Sequence, residues 1–302
     1  MSAATTTVTA TRKVSPPANI RRERLRVLLR SGTFLTGVSI VGFWIVCALF
    51  GPWLVPQDPF TQDLGNRLKP PFWMEGSQAG HLLGTDQLGR DYLARLVYGA
   101  RISLLIGIMT VITSGLIGIT LGVLGGFFGG RVDDFVLFTI TTRLSIPVVL
   151  VALAVVGLMG SGLGLVVATL GLLLWDRFAV VARATTMQVR NHDYVSAAWC
   201  AGASMPHILI KEILPNIASH LAVVATLEMA LAILLEAALS FLGLGVPPPL
   251  PSWGLMIAEG KDYMFFSPWV IMIPGVALAV LVLGINLVGD GLRNLLGAER
   301  LR

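Results

Sequence analysis

Long uncharged stretches separated by short polar ones set the pattern of this chain. They cover residues 34–55, 102–130, 144–175, 213–227 with a continuation past Glu228, and 263–289. Crossing a hydrocarbon core about 30 Å thick takes about 20 apolar residues at a rise of about 1.5 Å per residue. The stretch 144–175 is too long for one pass, and its middle holds Gly157, Gly160, Ser161, Gly162 and Gly164, so it divides into two helices. Six membrane-spanning helices are therefore predicted, at 34–55, 100–128, 134–158, 163–183, 216–242 and 269–290. Asp176 and Arg177 fall near the middle of the fourth, a sign that its cytoplasmic end lies earlier than residue 183.

Composition agrees with the pattern. Of 302 residues, 55% are hydrophobic and 13% charged, with a mean hydropathy of +0.78, against about 25% charge in a soluble domain. The expected class is an all-α membrane protein. Orientation follows from where lysine and arginine gather, because short flanks rich in them stay on the cytoplasmic side. The N-terminal tail carries Arg12, Lys13, Arg21, Arg22, Arg24, Arg26 and Arg30 against Glu23 alone, which places it in the cytoplasm. The segment after the first span opposes Arg67, Lys69, Arg90 and Arg95 with Asp58, Asp63, Glu75, Asp86 and Asp91, which places it outside. Six crossings bring both termini to the cytoplasm. The expected organisation is a basic tail at 1–33, a first span at 34–55 and an extracytoplasmic segment at 56–99. A core of about five spans follows at 100–290, with a cytoplasmic loop at 184–215 and a tail at 291–302.

The net charge of +5 sits mainly in a tail abutting a span, which suits anionic lipid headgroups and excludes nucleic acid as a partner. Residues 21–30 are predicted as a short surface helix, and 1–18, rich in Thr, Ser, Ala and Pro, as disordered. The first apolar run is too long for a cleaved signal and lacks a small-residue cleavage site after it. Cys47 and Cys200 are predicted to be free thiols, and His81, His192, His207 and His220 have no metal-ligand spacing. The glycines never form the Gly-x-x-x-x-Gly-Lys-Ser/Thr phosphate cradle, so the chain carries no nucleotide-hydrolysing site and no catalytic residue of its own. Gly118, Gly122, Gly126 and Gly130 instead make a stripe at a period of four along the second span, for close or moving helix contact. Arg143, Glu228 and Glu236 lie inside spans, where a charge costs at least about 2.5–3.5 kcal/mol on insertion scales. They face protein or a watery path, either lining a cargo route or tying helices together.

One polar island stands between two apolar runs: YVSAAWCAGASMPHILIKEILPN, residues 194–216. Asp193 is predicted to cap a helix over 194–201, and Gly202 to end it in the left-handed conformation. Ser204 then caps a second helix with Pro206 in its first turn, and Pro215 breaks or kinks that helix where the next span begins. Ala197, Ala198 and Ala201 form a low ridge between Val195 and Trp199, a shape that fits a groove on a partner.

The island resembles the EAA loop of binding-protein-dependent ABC transporter permeases. Ala197, Ala198, Gly202, Leu214 and Pro215 occupy the family's motif positions, and Ser196 stands where the family has glutamate. The resemblance implies that Tyr194, Ser196, Ala197, Ala198, Gly202, Ala203, Leu214 and Pro215 form the surface that docks on an ATPase subunit. Any ion pair made by the family's glutamate is missing here.

Three further stretches look like the dipeptide, oligopeptide and nickel branch of that family, in its C-type subunits: HLLGTDQLGRDYLARLVYGARISLLIG at 81–107, EAALSFLGLGVPPPLPSWGLMIAEG at 236–260, and PWVIMIPGVALAVLVLGINLVGDGLRNLLG at 268–297. The resemblance implies a type I importer permease in a bacterial inner membrane. It implies pairing with a homologous B-type permease, two cytoplasmic ATPase subunits or one fused pair that bind ATP and Mg, and an extracytoplasmic solute-binding protein. Short peptides are the expected cargo; nickel complexes or glutathione are the alternatives within the family. An ATP-independent secondary transporter is the alternative from another class, and a subunit without a transport path is a third.

Read on their own residues, Asp86, Arg90 and Asp91 with Gly84 and Gly89 form either an ordered turn at the outer interface or a contact with the delivering protein. Pro247, Pro248, Pro249 and Pro251 forbid helix, so 246–253 is predicted to run extended into the external mouth, with Trp253 as an interface anchor or binding-protein contact.

Overall fold

The computed structural model describes residues 31–300; the predicted disordered tail and the surface helix at 21–30 lie outside the described residues. The helices are α1 (Gly32–Leu54), α2 (Tyr92–Phe128), α3 (Gly130–Leu144), α4 (Val148–Met159), α5 (Leu163–Leu173), α6 (Asp176–Val189), α7 (Asp193–Cys200), α8 (Met205–Phe241), α9 (Trp253–Gly260) and α10 (Trp269–Arg300). Five uninterrupted or nearly straight segments are long and apolar enough to cross a membrane: Gly32–Gly51, Tyr92–Phe128, Leu163–Val189, Met205–Phe241 and Trp269–Asn294. The third predicted span, 134–158, is a bent pair, α3 and α4, which meet at 79°. Pro147 explains the bend. It lacks an N–H and disfavours helical backbone at Ile146, so α3 stops and α4 restarts beyond the proline.

Three other boundaries differ from the sequence expectation. Helix α2 begins at Tyr92, well before residue 100, because the Asp91 carboxylate accepts from the Ala94 N–H at 2.7 Å and caps it there. Arg95 argues locally against helix in a membrane segment, but its charge is consumed inside the protein. The fourth span ends later than 183, not earlier: α5 and α6 join across Leu174 and Trp175 and run to Val189. Arg183 is accommodated by a two-pronged pair with Asp133 of α3. The fifth span starts at Met205, so Pro215 does not break it. The turn Ile208–Ile213 is wound wide, with the Leu214 N–H reaching back five residues to the Leu209 carbonyl. That wider turn just ahead of Pro215 lets the helix continue past a residue that has no N–H to give.

Helix α2 is the central rod. Gly118, Gly122 and Gly126 press directly on α6: a β-carbon on Gly126 would lie 2.6 Å from the Arg183 carbonyl oxygen and 2.9 Å from the Thr186 side chain. Gly122 meets Ala179 and Ala182 in the same way. Gly130 is not part of this stripe; it opens α3 at φ +51° with open space around it. On the other flank α1 packs along α10, where Gly37 approaches the Gly284 carbonyl and a β-carbon would sit 2.8 Å away. Without a hydrophobic drive between rods in lipid, such backbone-to-backbone approach is what binds them.

One end of the bundle is closed by a charged clamp. Asp86 accepts from the backbone N–H groups of Leu88 (2.8 Å) and Arg90 (3.0 Å) and from Arg90 Nε (2.6 Å). Arg95 lies 2.9 Å from Asp86 and 2.7 Å from Glu259 of α9, and Arg90 reaches Glu259 at 3.3 Å. His81 Nδ1 lies 2.8 Å from Asp91. Burial pushes the Glu259 carboxyl above its ordinary pKa, and the Arg90 guanidinium opposes that rise. Asp86, Arg90 and Asp91 are all buried, so they build the ordered turn and are spent on internal partners.

Trp253 is a correction: expected as an interface anchor, it is 0% exposed. Its indole N–H donates to the Leu96 carbonyl at 2.8 Å and its ring meets Trp44 edge to face at 4.7 Å. The proline run is free of helix as predicted, but it bends and turns at Pro248 and Pro249, joined by a cis peptide bond, instead of running extended, and it delivers the chain into α9, a short helix that the sequence pattern hid. A tryptophan that can satisfy its one donor on a backbone carbonyl is accommodated in the core.

Three outcomes follow. Gly126→Ala should destabilise the purified chain by about 1–3 kcal/mol through overpacking. Gly157→Ala, where a β-carbon meets nothing within 4 Å, should be neutral or stabilising by up to about 1 kcal/mol; thermal melts in detergent compare them. Arg95→Met, which strips the shared cation from Asp86 and Glu259, should cost about 3–5 kcal/mol in the same melts.

Candidate functional site

At the end of the bundle away from the clamp, α7 lies between α6 and α8. His192 occupies the cap position and Asp193 falls in the first turn, so the predicted Asp193 cap is displaced by one residue; its carboxylate complements the helix dipole instead. Ser204 does precede α8, but its hydroxyl makes no capping bond. Gly202 adopts φ +79°, the left-handed turn that ends α7, with the Gly202 N–H on the Trp199 carbonyl at 3.0 Å. The turn is sharp enough to set α7 and the start of α8 against each other.

Val195 is the anchor. It is fully buried in a cluster with Ile208, Ile213, Ile217, Phe178 and Ala182, which pins α7 to both neighbouring helices. Ala198 and Ala203 turn toward that cluster and Leu214 packs on it. The opposite face carries Tyr194, Ser196, Ala197, Ala201 and Gly202, all exposed, with Pro215 exposed beyond. The ridge predicted from three alanines is thus formed outward by Ala197 and Ala201, one helical turn apart. Burial pushes the Tyr194 hydroxyl above its ordinary pKa, assisted by Glu212. Trp199 stacks on Phe127 at 6.3 Å, bridging α7 to the end of α2.

A residue that motif reading passed over completes the link. Arg190, at the end of α6, donates to the carbonyls of Gly126 (2.7 Å) and Phe127 (3.1 Å). It supplies donors to carbonyls that the last turn of α2 leaves unpaired. No local signal points to it, because its partners Gly126 and Phe127 lie 64 and 63 residues earlier in the chain.

Charged side chains gather at a second place, beside the break between α5 and α6. Arg143 of α3 donates to the Leu173 carbonyl at that break and lies 3.8 Å from Asp176. Glu228, halfway along α8, lies 3.3 Å from Arg177. Glu236, one helical stretch further, accepts from Ser240 (2.7 Å) and from Ser252 (2.8 Å), the residue that caps α9. Arg143 and Glu236 therefore tie helix ends, while Glu228 faces a cation from another helix. The Asp86 and Trp253 groups lie at the far end and belong to neither place.

Comparison with known proteins gives the arrangement a family. Residues 118–301 match the family described as binding-protein-dependent transport system inner membrane component. Residues 21–71 match the N-terminal TM domain of oligopeptide transport permease C. The chain is 44% identical over 262 residues to the di/tripeptide transport system permease protein DppC of Pseudomonas aeruginosa, covering 87% of this chain and 86% of that one. It is 36% identical to the dipeptide transport system permease protein DppC of Haemophilus influenzae, over 87% and 89% of the two chains. It is also 36% identical to the glutathione transport system permease protein GsiD of Pectobacterium atrosepticum, over 90% and 87%. Among solved structures, a chain of the MetNI methionine ABC transporter in an inward-facing conformation superposes with a TM-score of 0.54 at 19% identity, over 67% of this chain and 96% of that one, which shows a shared fold. These matches place the chain in the family of binding-protein-dependent transport system inner membrane components, as a multi-pass permease of the inner membrane.

Proposed function

We propose that this chain is the C-type permease subunit of an ATP-driven importer of short peptides. The 44% identity to a di/tripeptide permease over nearly the whole chain carries that reading. Both termini and the α7 surface lie in the cytoplasm, and the clamp between residues 81 and 95 faces outside, as the distribution of basic residues requires. A homologous B-type permease completes the path, two ATPase subunits or one fused pair bind ATP and Mg, and an external solute-binding protein delivers cargo. The likeness to GsiD favours glutathione, itself a short peptide, as the second cargo reading.

Tyr194, Ser196, Ala197 and Gly202, with Pro215 exposed beyond them, present the docking surface, and Ala198, Ala203 and Leu214 support it from behind. ATP closing the ATPase pair is the ligand that favours one state of the membrane bundle over the other. Force on α7 passes through Val195 into α6 and α8, and through Trp199 and Arg190 into α2. Small side chains at Ala197 and Ala201 let shape do the docking where Ser196 supplies no carboxylate. Asp86, Arg90 and Asp91 hold the outer turn against which a delivering protein lands, with Trp253 as its internal prop.

The complex, reconstituted with its ATPases and binding protein, should take up labelled dipeptide in the presence of ATP; absence of dipeptide and glutathione uptake alike would falsify the cargo reading. Gly202→Val should abolish uptake and uncouple ATP hydrolysis while the chain still inserts, since a branched residue in the left-handed turn costs about 1–2 kcal/mol and tilts α7. Gly202→Asn should keep much of the activity, because asparagine tolerates that conformation. Ala197→Glu, on the exposed face, should leave the melting temperature unchanged and reduce co-purification with the ATPase.

A further inference from the structure

Of the charges in the membrane, Arg143 and Glu236 are used up in tying helix ends; Arg177 is not. It sits in the second position of α6, inside the span Leu163–Val189. Its side chain is 57% exposed, whereas that of its counter-ion, Glu228, is 1% exposed. The 3.3 Å contact lacks hydrogen-bond geometry, and neither Glu228 oxygen receives a hydrogen bond from the protein. Glu228 therefore holds the cation by charge alone, and the guanidinium keeps donors aimed away from the bundle.

A guanidinium on the outside of a membrane-spanning helix is unfavourable against lipid and tolerable against water or another protein. Its surroundings are those of a ligand site rather than a scaffold. The helix is interrupted at Leu174 and Trp175 immediately before it, the kind of break at which secondary transporters place their ligands in mid-membrane. Two acids, Asp176 and Glu228, balance two bases, Arg143 and Arg177, so the cluster is neutral at rest. An arriving carboxylate meets the planar fork of Arg177, which matches it in two-pronged geometry, while Glu228 behind it keeps the attraction weak. Strong enough to enter and weak enough to leave is the requirement for passage.

We propose that Arg177, held in place by Glu228, is the contact within the membrane for the free carboxylate of the cargo. The assignment rests on the peptide reading. It makes Arg177 a transit site: the cargo's carboxylate passes from the outer mouth to this cation before release inward.

The test uses the complete complex in proteoliposomes. Arg177→Gln should lower dipeptide uptake by about tenfold or more, and Arg177→Lys should restore part of it as a cation without the fork. Co-purification with the partner permease and basal ATP hydrolysis should not change. In a Cys47→Ser/Cys200→Ser background, Arg177→Cys should react with a water-soluble anionic thiosulfonate, and delivered dipeptide should slow that reaction while a C-terminally amidated dipeptide should not. Normal uptake by Arg177→Gln, beside normal uptake by the wild type, overturns the assignment and leaves the peptide reading standing. Loss of co-purification overturns it in favour of a carboxylate on the partner permease, and an unreactive thiol overturns it in favour of a packed or lipid-facing position. A wild-type complex that takes up no dipeptide sinks the peptide reading and this site together.

Discussion

The near-contact of the α2 and α6 backbones underlies everything else in this fold. In lipid, two apolar rods gain little by touching through long side chains, since acyl chains offer the same contacts. Removing the side chains altogether changes that balance. Gly118, Gly122 and Gly126 bring α2 against Trp175, Ala179, Ala182 and Arg183, close enough that no β-carbon fits. The pair then acts as one stiff element, with Phe178 and Ala182 on its side available to receive Val195 from α7. Arg190 seals the lower end of the pair by donating to the last carbonyls of α2.

That stiffness supports a helix of only eight residues, α7. On its own, α7 is too short to hold a conformation in water. Val195 inside the cluster and Trp199 on Phe127 give it a fixed seat, and the left-handed Gly202 aims the next helix back into the membrane. The outward face can then stay small and uncharged. At the opposite end, Asp86, Arg90, Arg95 and Glu259 bind the turn before α2 to α9, so both ends of the bundle are held while the middle carries the unspent charge of Arg177.

The polar island at 194–216 is legible in the sequence because it breaks an apolar pattern with residues of strong local meaning: Gly202 for a left-handed turn, Pro206 in a first turn, alanines at helical spacing. The spans are legible for the same reason, although their ends are not. Arg95 and Arg183 read as charges that should end a helix, and each is neutralised by a carboxylate far away in the chain, Glu259 and Asp133 respectively. Pro215 reads as a breaker and is absorbed by a wide turn just before it. Trp253 reads as an interface anchor because nothing local reveals that the Leu96 carbonyl and the Trp44 ring await it.

Hydrophobic periodicity, glycine spacing and basic flanks are local properties, and they alone determined that this chain is a bundle of membrane helices with one small exposed handle. Which charges are spent and which are left over depends on partners more than a hundred residues apart in some cases, such as Arg95 with Glu259. Only the tertiary structure decided that Asp86 and Trp253 are internal, that Arg143 and Glu236 tie helix ends, and that Arg177 faces outward. A side chain's energy in a membrane is set by what surrounds it, and a sequence records neighbours along the chain but not neighbours in space.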